Sequence, residues 1–345
     1  MGFESLIAAA QRLSTSVEAL AALGAQLRLQ QDGLEGNPRV RALLNEIARA
    51  VDPQLLEDVD EHQQATTLAL IETIFRQALD LLENPARDLG WSYKDPVILQ
   101  SQGQVSRLLV RGIDIMATQR HELGEMLKGP GAFLDVGTGV GWLAIEAARS
   151  WPALRVVGID PWEPALTLAR QNLAQSGVAE RVELRLQRVE QFEETTTFTV
   201  AWLPGPFIAG EIADRALERV YRALVPGGWL VFGFNPKPHG PLEEALANLR
   251  IVRSGGYPWT AREVEEKLQE HGFEQIEVYS PAPPIPAVTA SPFSRILFVV
   301  GRRPLSSENQ RSSTSHELRP ERKRPRSSTD TNLTDYRTKL TLNWA

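Results

Sequence analysis

Short apolar, β-rich runs alternate with helix-forming segments over most of the chain. The runs predict strands at residues 132–136, 154–159, 181–186, 197–203 and 228–234. The segments between and after them predict helices at residues 141–150, 162–176, 210–224 and 241–252. A helix at residues 260–271 then precedes strands near 274–280 and 293–300. This alternation predicts an α/β fold with a parallel sheet that is covered by helices on both faces.

The first 80 residues carry a different pattern, in which apolar residues recur only at helical spacing. A break at residues 33–38 separates the first stripe from the second, and Asn84-Pro85 ends the third. The stripes are Ile7, Ala10, Leu13, Val17, Leu20, Leu23 and Leu27; Val40, Leu43, Leu44, Ile47 and Val51; and Leu68, Ile71, Ile74, Phe75, Ala78, Leu79 and Leu82. Residues 102–127 predict one or two further helices. We therefore expect an N-terminal helical domain at residues 1–125, ahead of an α/β domain at residues 126–303.

The last segment, residues 304–345, has few apolar residues, and its composition predicts a disordered basic tail. Its basic run at residues 319–326 is typical of a solvated tail, although a nuclear signal or a nucleic-acid contact has the same composition. The whole chain carries a net charge of −6, so the body without this tail is more acidic still. An acidic body argues against nucleic acid as the main partner.

Composition narrows the class of protein further. The chain has 345 residues, 42% of them hydrophobic and 23% charged, which is typical of a globular protein of two domains. It has no cysteine, which excludes disulfides and thiolate metal sites and suits the cytoplasm. No apolar run is long enough to cross a bilayer, and the first residues lack the basic region of a secretory signal. We therefore expect a cytoplasmic protein without a membrane partner.

The most informative motif is a glycine-rich turn between the first predicted strand and its helix. Residues 133–141 read FLDVGTGVG, and the next strand ends in Asp160. Glycines allow a ligand to approach the backbone closely, and a helix N-terminus offers free N–H donors. An acid at the end of the next strand is placed to accept hydrogen bonds from ribose hydroxyls. These features predict a nucleoside pocket at the C-terminal edge of the sheet.

Two nucleoside cofactors compete for this pocket. Gly137, Gly139 and Gly141 are spaced G-x-G-x-G, one residue shorter than the G-x-G-x-x-G of dinucleotide-binding folds. Asp135 lies two residues before the first glycine, where its charge would repel a phosphate but attract a cation. S-adenosylmethionine carries a sulfonium and an ammonium group and no phosphate. The turn therefore favours S-adenosylmethionine over NAD.

These residues resemble the first two motifs of class I S-adenosylmethionine-dependent methyltransferases. Later segments resemble further parts of that family in the expected order, over roughly residues 120–302: residues 181–186, 199–204, 224–232, 259–264 and 271–273. The resemblance implies a Rossmann-like, seven-stranded, mostly parallel sheet with an antiparallel edge. It also implies S-adenosyl-L-methionine as the cofactor.

The resemblance assigns the cofactor to residues at the ends of the first four strands: Asp135, Gly137, Thr138, Gly139, Gly141, Asp160, Pro161, Trp162, Gln187, Val189 and Leu203. It gives Asp135 the methionine end of the cofactor and Asp160 the ribose, while a helix-capping role for Asp160 is compatible with this. One departure concerns adenine, because Arg188 stands where the family often has an acid. Gln187 and Val189 would then recognise adenine, with Pro161 and Trp162 as apolar walls, although Trp162 is equally suited to packing.

The acceptor side is predicted in the loops after the fourth and fifth strands. Trp202 and Phe207 are candidates to face the sulfonium through a cation–π contact, and a rigid loop with a buried aromatic residue is an equally good interpretation. The loop lacks the leading Asp or Asn of methyltransferases that act on planar nitrogens. His239 is a candidate general base, although exposed loop histidines are commoner. No grouping of histidines and acids predicts a metal site.

The function predicted from the sequence is transfer of a methyl group from S-adenosylmethionine to an O, N or C nucleophile of a small organic acceptor. A non-catalytic protein that binds S-adenosylmethionine and an NAD-dependent oxidoreductase are the alternatives. The N-terminal helices are expected either to cover the substrate pocket as a lid or to form the interface of a homodimer.

Overall fold

A seven-stranded sheet organises the computed structural model, which describes residues 2–57, 59–238, 240–279 and 296–305. The strands are β1 Gly131–Val136, β2 Leu154–Asp160, β3 Val182–Leu186, β4 Phe198–Pro204, β5 Leu224–Phe234, β6 Glu274–Tyr279 and β7 Leu297–Arg302. Their order is β3-β2-β1-β4-β5-β7-β6. The first five strands pair in parallel, and β7 runs antiparallel to both β5 and β6. The predicted Rossmann-like sheet with an antiparallel edge is confirmed.

Helices cover both faces of this sheet, as the alternating pattern predicts. They are α6 Trp142–Ser150, α7 Glu163–Ala174, α8 Gly210–Ala223, α9 Pro241–Arg253 and α10 Ala261–Glu270, in the numbering that starts with the five N-terminal helices below. Successive residues of a strand point to opposite faces, so Phe133 and Leu134 enter two different cores. Trp229 and Phe232 do the same on β5, and all four side chains are buried.

Five helices precede the sheet: α1 Gly2–Gln31, α2 Pro38–Val51, α3 Glu61–Glu83, α4 Pro96–Gln119 and α5 His121–Lys128. Helix α4 begins six residues before the predicted start at residue 102. The reason is local, because the Asp95 side chain accepts a hydrogen bond of 2.9 Å from the N–H of Val97, and Pro96 suits the first helical position. Residues Met1–Pro304 form one compact unit that includes these helices and the sheet.

The apolar stripes of the first two helices are mostly exposed. Only a small cluster around Leu27, Leu68 and Ile71 is buried between α1 and α3. The exposed members include Ile7, Leu13 and Val17 on α1 and Val40, Leu43, Ile47 and Val51 on α2. The spacing predicts the helices correctly, but it does not indicate which stripe is covered within the chain.

Some expectations concern residues outside the described part of the chain. The predicted disordered tail is one of them, since only its first two residues, 304 and 305, are described. The predicted last strand begins at Leu297, and residues 293–295 lie outside the description. No helix among the described residues is both long enough and apolar enough to span a membrane.

A glycine on β5 provides a test of the sheet packing. A Cβ atom at Gly233 would lie 2.1 Å from Cη2 of Trp202, which is buried on the neighbouring strand β4. Gly233→Ala is therefore expected to lower the free energy of unfolding by about 1–3 kcal/mol through overpacking. Urea unfolding followed by tryptophan fluorescence measures this change.

Gly2→Ala is the matched control, because its added methyl group would meet nothing within 4 Å. We expect it to change the free energy of unfolding by less than about 0.5 kcal/mol. Equal stabilities of the two variants would show that β4 and β5 do not pack as described.

Candidate active site

The turn between β1 and α6 is built on three glycines with left-handed backbone angles. The φ angles of Gly137, Gly139 and Gly141 are +68°, +56° and +82°, a region that side chains with a Cβ atom rarely adopt. The N–H groups of Gly137 and Thr138 donate to the carbonyl oxygen of Ile159 at 2.8 and 3.1 Å. The turn is thus fixed against the end of β2.

Asp160 ties the same turn to the start of α7. Its Oδ2 atom accepts a hydrogen bond from the N–H of Gly139, and its Oδ1 atom accepts one from the N–H of Trp162, both at 2.8 Å. Burial raises the pKa of this carboxyl above its ordinary value, and the two backbone donors act in the opposite direction. A carboxylate oxygen accepts more than one hydrogen bond, so Asp160 keeps acceptor capacity for a ligand.

Asp135 lies beneath the turn and is almost completely buried. Thr138 Oγ1 donates to its Oδ2 atom at 2.7 Å, while its Oδ1 atom has no hydrogen-bond partner among the described residues. Burial, assisted by the negative charge of Asp160, raises the pKa of Asp135 to about 7, while the hydrogen bond from Thr138 and the backbone of Ala144 act in the opposite direction. A buried carboxyl with a free oxygen is suited to a cationic ligand, whose charge would offset the cost of burial.

A cavity of about 1450 Å³ opens from this turn. Pockets for one small ligand typically occupy roughly 300–1,000 Å³, so this cavity has room for two molecules. The glycine turn and the ends of β1, β2 and β4 line one part of it. Residues of α3, α4 and α9 and the segment 89–93 line the other part. We call these two parts the nucleoside end and the helical end.

Most of the residues predicted for the site line the cavity. They are Asp135, Gly137, Thr138, Gly139, Asp160, Pro161, Trp162, Gln187, Val189, Trp202 and Phe207. Leu203 does not line it, because its side chain is fully buried in the core between the sheet and α8. Gly141 does not line it either, since a Cβ atom there would lie 3.2 Å from Cβ of Ala169 on α7. His239 lies outside the described residues.

The residues after β3 supply an acid that the sequence pattern does not reveal. Arg188 lines the cavity, and its Nη1 atom lies 3.7 Å from Oε1 of Glu190. A short 3-10 turn at Val189–Gln191 brings the Glu190 side chain to the same wall, where it is 15% exposed. The acid expected near adenine is thus replaced by an arginine, with an acid two residues later.

Two of the predicted tryptophans also serve packing. Trp162 Nε1 donates a 2.7 Å hydrogen bond to the carbonyl oxygen of Tyr93, so this ring joins the segment 89–93 to the start of α7. Trp202 is only 3% exposed and contacts Phe298 edge-to-face with ring centroids 6.0 Å apart. Both rings still form part of the cavity wall.

Residues 89–93 form a bridging segment between the N-terminal helices and α9. The N–H of Gly90 donates to the carbonyl oxygen of Arg253 at 3.0 Å. The Tyr93 hydroxyl donates a hydrogen bond to Oδ2 of Asp80 on α3 at 3.1 Å, and Arg253 Nη2 donates one to the same carboxylate oxygen at 2.8 Å. Trp91 and Tyr93 line the cavity, and no local sequence signal marks either of them as a site residue.

The described residues contain no group of three or more histidines or acids placed to hold a metal ion. The charged residues of the cavity lining are Asp135, Asp160, Glu190, Glu211 and the arginines Arg188, Arg250 and Arg253.

Known proteins match this region in sequence and the wider chain in fold. Residues 133–228 match the family described as "Methyltransferase domain". A demethylmenaquinone methyltransferase of Thermus thermophilus is 32% identical over 146 residues, which are 39% of this chain and 62% of that protein. A ribosomal protein L11 methyltransferase of Syntrophotalea carbinolica is 39% identical over 110 residues, which are 32% of this chain and 34% of that protein. The chain thus spans less than two thirds of either relative.

Among solved structures, an O-methyltransferase family protein from Burkholderia thailandensis has the same fold, with a TM-score of 0.62. The match covers 87% of this chain and 99% of that one at 14% identity. It therefore includes much of the N-terminal helical region as well as the sheet.

The buried Asp135 predicts a pH-dependent cost in the ligand-free protein. Its pKa is about 7 when folded and 3.8 in its ordinary state, so the folded protein holds this proton more tightly. Stability contributed by that proton is lost as the pH rises from about 4 to about 7. The side chain of Asp135→Asn does not ionise, so this variant does not lose stability in this way. We expect it to gain up to a few kcal/mol of unfolding free energy over the wild type at pH 8, and little at pH 4.5.

Urea unfolding at both pH values, without ligands, measures this difference. The exposed residue Asp32 supplies the control, because Asp32→Asn should show the same difference from wild type at pH 4.5 and pH 8. An Asp135→Asn effect that does not change with pH would contradict the buried, proton-binding state of the carboxyl.

Proposed function

We propose that this chain is a class I S-adenosylmethionine-dependent methyltransferase, which transfers a methyl group to a small organic acceptor bound in the cavity. One observation carries this proposal. A single cavity joins a nucleoside end with the chemistry for S-adenosylmethionine to a helical end that offers space for a second molecule. The match to the methyltransferase domain supports S-adenosylmethionine as the cofactor, and the second space supports the acceptor.

The residues of the nucleoside end fit this cofactor. Asp135 has a buried oxygen without a partner, which suits the positively charged methionine part. A Cβ atom at Gly139 would meet nothing closer than 3.9 Å, so the turn leaves open space for a ligand against its backbone. Asp160 is held in place by two N–H donors and is suited to the ribose hydroxyls. Glu190 and Gln187 line the wall where adenine is expected.

When bound, S-adenosylmethionine supplies an electrophilic methyl group and a neutral leaving group, S-adenosylhomocysteine. The protein contributes alignment, since attack on the methyl carbon requires a nucleophile in line with the bond that breaks. Pro204 lies at the end of β4, with its Cγ atom 3.0 Å from the Cβ position of Gly137. The loop that follows it, Gly205–Phe207, therefore stands beside the glycine turn, where the acceptor would meet the methyl group.

The walls of the helical end support a small acceptor over a macromolecule. Helices α3, α4 and α9 and the bridging segment line this space, so an acceptor atom on a large folded surface would have to reach in between them. The relative from Thermus thermophilus is named for a small organic acceptor, and the one from Syntrophotalea carbinolica for a ribosomal protein. These walls are the reason that we favour the first class.

Cofactor binding tests the nucleoside end directly. We expect isothermal titration calorimetry to show binding of S-adenosylmethionine and S-adenosylhomocysteine, and no binding of NAD. Asp160→Ala should weaken binding about 10- to 100-fold, because it removes a charged acceptor of hydrogen bonds. Asp32→Ala, at an exposed residue of the N-terminal region, should bind like the wild type.

Thermal unfolding without ligand must show that Asp160→Ala still folds, since this residue also braces the turn. If the folded variant bound S-adenosylmethionine as tightly as the wild type, the assigned cofactor site would be wrong. Binding of NAD alone would instead support an oxidoreductase.

The class of acceptor is tested with S-adenosylmethionine carrying a radiolabelled methyl group. After incubation with a cell extract and removal of unreacted S-adenosylmethionine on a cation exchanger, we expect label in the dialysable fraction of the wild-type reaction and about tenfold less in the reaction of Asp160→Ala at limiting cofactor. Label that is confined to protein or RNA would refute a small acceptor. Cofactor binding without transfer to any fraction would favour the non-catalytic alternative.

A further inference from the structure

The helical end of the cavity opens to solvent between apolar side chains. Leu89, Phe207, Leu246, Leu249 and Val252 all line the cavity, and each is 38% to 66% exposed. A residue that lines a cavity and is also exposed lies where that cavity meets solvent, so we call these five residues the apolar mouth. An exposed apolar patch of this kind is typical of a groove that binds a ligand.

Backbone contacts bring the elements of the apolar mouth together. A Cβ atom at Gly255, just after α9, would lie 3.0 Å from Cα of Gly90 in the bridging segment. A Cβ atom at Gly256 would lie 1.8 Å from the carbonyl oxygen of Pro206, in the loop after β4. The bridging segment, the end of α9 and this loop are therefore in direct contact, and their apolar side chains belong to one surface.

Helix α9 contributes a face of leucines to this surface. Leu246 and Leu249 are three residues apart and share one side of the helix, and Leu242 lies one turn earlier on the same side. Leu242 is 57% exposed and is not part of the cavity lining, whereas Ile251 on the other side of the helix is buried. The leucine face of α9 thus runs from the outer surface of the protein into the cavity.

The apolar character continues inward from the mouth. Ile74, Ala78 and Leu81 of α3 line the same cavity at the spacing of one helix face. Helix α4 joins this wall to the nucleoside end, because a Cβ atom at Gly103 would lie 2.2 Å from Cγ2 of Val140 in the glycine turn. An apolar molecule therefore has a continuous wall from the mouth towards the cofactor site.

The charged residues at this end of the cavity have both signs. Glu211 lines it on α8, and Arg250 and Arg253 line it on α9. Arg253 is paired with Asp80, at 2.8 Å between Nη2 and Oδ2. Such a mixture selects neither a cation nor an anion. The property that the walls share is therefore their apolar surface, which is the main source of affinity in most pockets for small molecules.

We propose that the acceptor is a hydrophobic molecule with an aliphatic chain, which lies over Leu246 and Leu249 and passes Leu89 at the mouth. Its nucleophilic group reaches the cofactor at the other end of the cavity. This inference rests on the proposed function and names the chemical class of its acceptor. In the transfer, the nucleophile bonds to the methyl carbon while the bond from that carbon to sulfur breaks, and the proton of the nucleophile leaves to solvent.

A series of neutral probes tests the chain site without knowledge of the natural acceptor. Calorimetry measures the binding of 1-hexanol, 1-octanol and 1-decanol to the protein loaded with S-adenosylhomocysteine. We expect the affinity to rise about threefold to fourfold for each CH₂ group added, because each group leaves water for an apolar wall.

The double variant Leu246→Gln, Leu249→Gln assigns this gain to α9. It should weaken 1-decanol about tenfold or more and 1-hexanol much less, because only the longer chain reaches both positions. Leu242→Gln is the matched control, since Leu242 is an exposed leucine of the same helix face outside the cavity lining, and it should leave all three affinities unchanged. Thermal unfolding and an unchanged affinity for S-adenosylhomocysteine confirm that each variant is folded.

The radiolabel assay tests the natural acceptor. We expect the dialysable labelled product of the wild-type reaction to partition into hexane rather than water. The double variant should transfer less label to this product than the wild type, and Leu242→Gln should transfer the same amount.

Three results would overturn the inference. The first is equal affinity of the wild type for the three alcohols, and the second is a labelled product that stays in water. The third is an equal loss of 1-decanol binding in Leu242→Gln and in the double variant, which would assign the whole leucine face to a bilayer or a second copy of the chain. Failure of the proposed function differs from all three, because it appears as absence of S-adenosylmethionine binding or of label transfer.

Discussion

The site depends on one carboxylate, Asp160, which joins two separate pieces of backbone. Its two oxygens hold the N–H groups of Gly139 and Trp162, so the glycine turn after β1 and the start of α7 are fixed to each other at the end of β2. The positive φ angles of the turn are sustained by this bond and by those to the carbonyl oxygen of Ile159. These few contacts position Thr138, which lies within the turn and donates a hydrogen bond to Asp135 at the end of β1.

The helical end is built by different means. Its walls come from segments far apart in the chain, and the bridging segment connects them through Gly90, Trp91 and Tyr93. Asp80 joins α3 to both the bridging segment and α9, since Tyr93 and Arg253 donate to it. The glycine turn and the two aspartates of the nucleoside end thus lie within one continuous stretch of chain, from β1 to the end of β2, whereas the helical end is a tertiary assembly.

This difference explains how far the sequence could be interpreted. Patterns within about 30 residues predict the order of strands and helices, the glycine turn, Asp135 and Asp160. The alternation of strands and helices predicts the sheet topology. The position of Leu203 on a strand does not indicate to which face of the sheet its side chain points, and the structure buries that side chain in the core. Trp91 and Arg250 line one cavity from positions far apart in sequence, and no local spacing links them. The exposed stripes of α1 and α2 show the same limit, because periodicity indicates an apolar face without naming what covers it.

The two aspartates of the nucleoside end differ in what their loss would do to the fold. Asp160 stabilises the turn through its hydrogen bonds, so a chain that had lost its chemistry would still benefit from it. Asp135 is buried with one oxygen unpartnered, and the ligand-free fold would be more stable without its charge. A residue that costs stability at a ligand site is an instance of the trade-off between stability and activity. Loss of Asp135 would thus favour the ligand-free fold at the expense of the site, whereas loss of Asp160 would harm both.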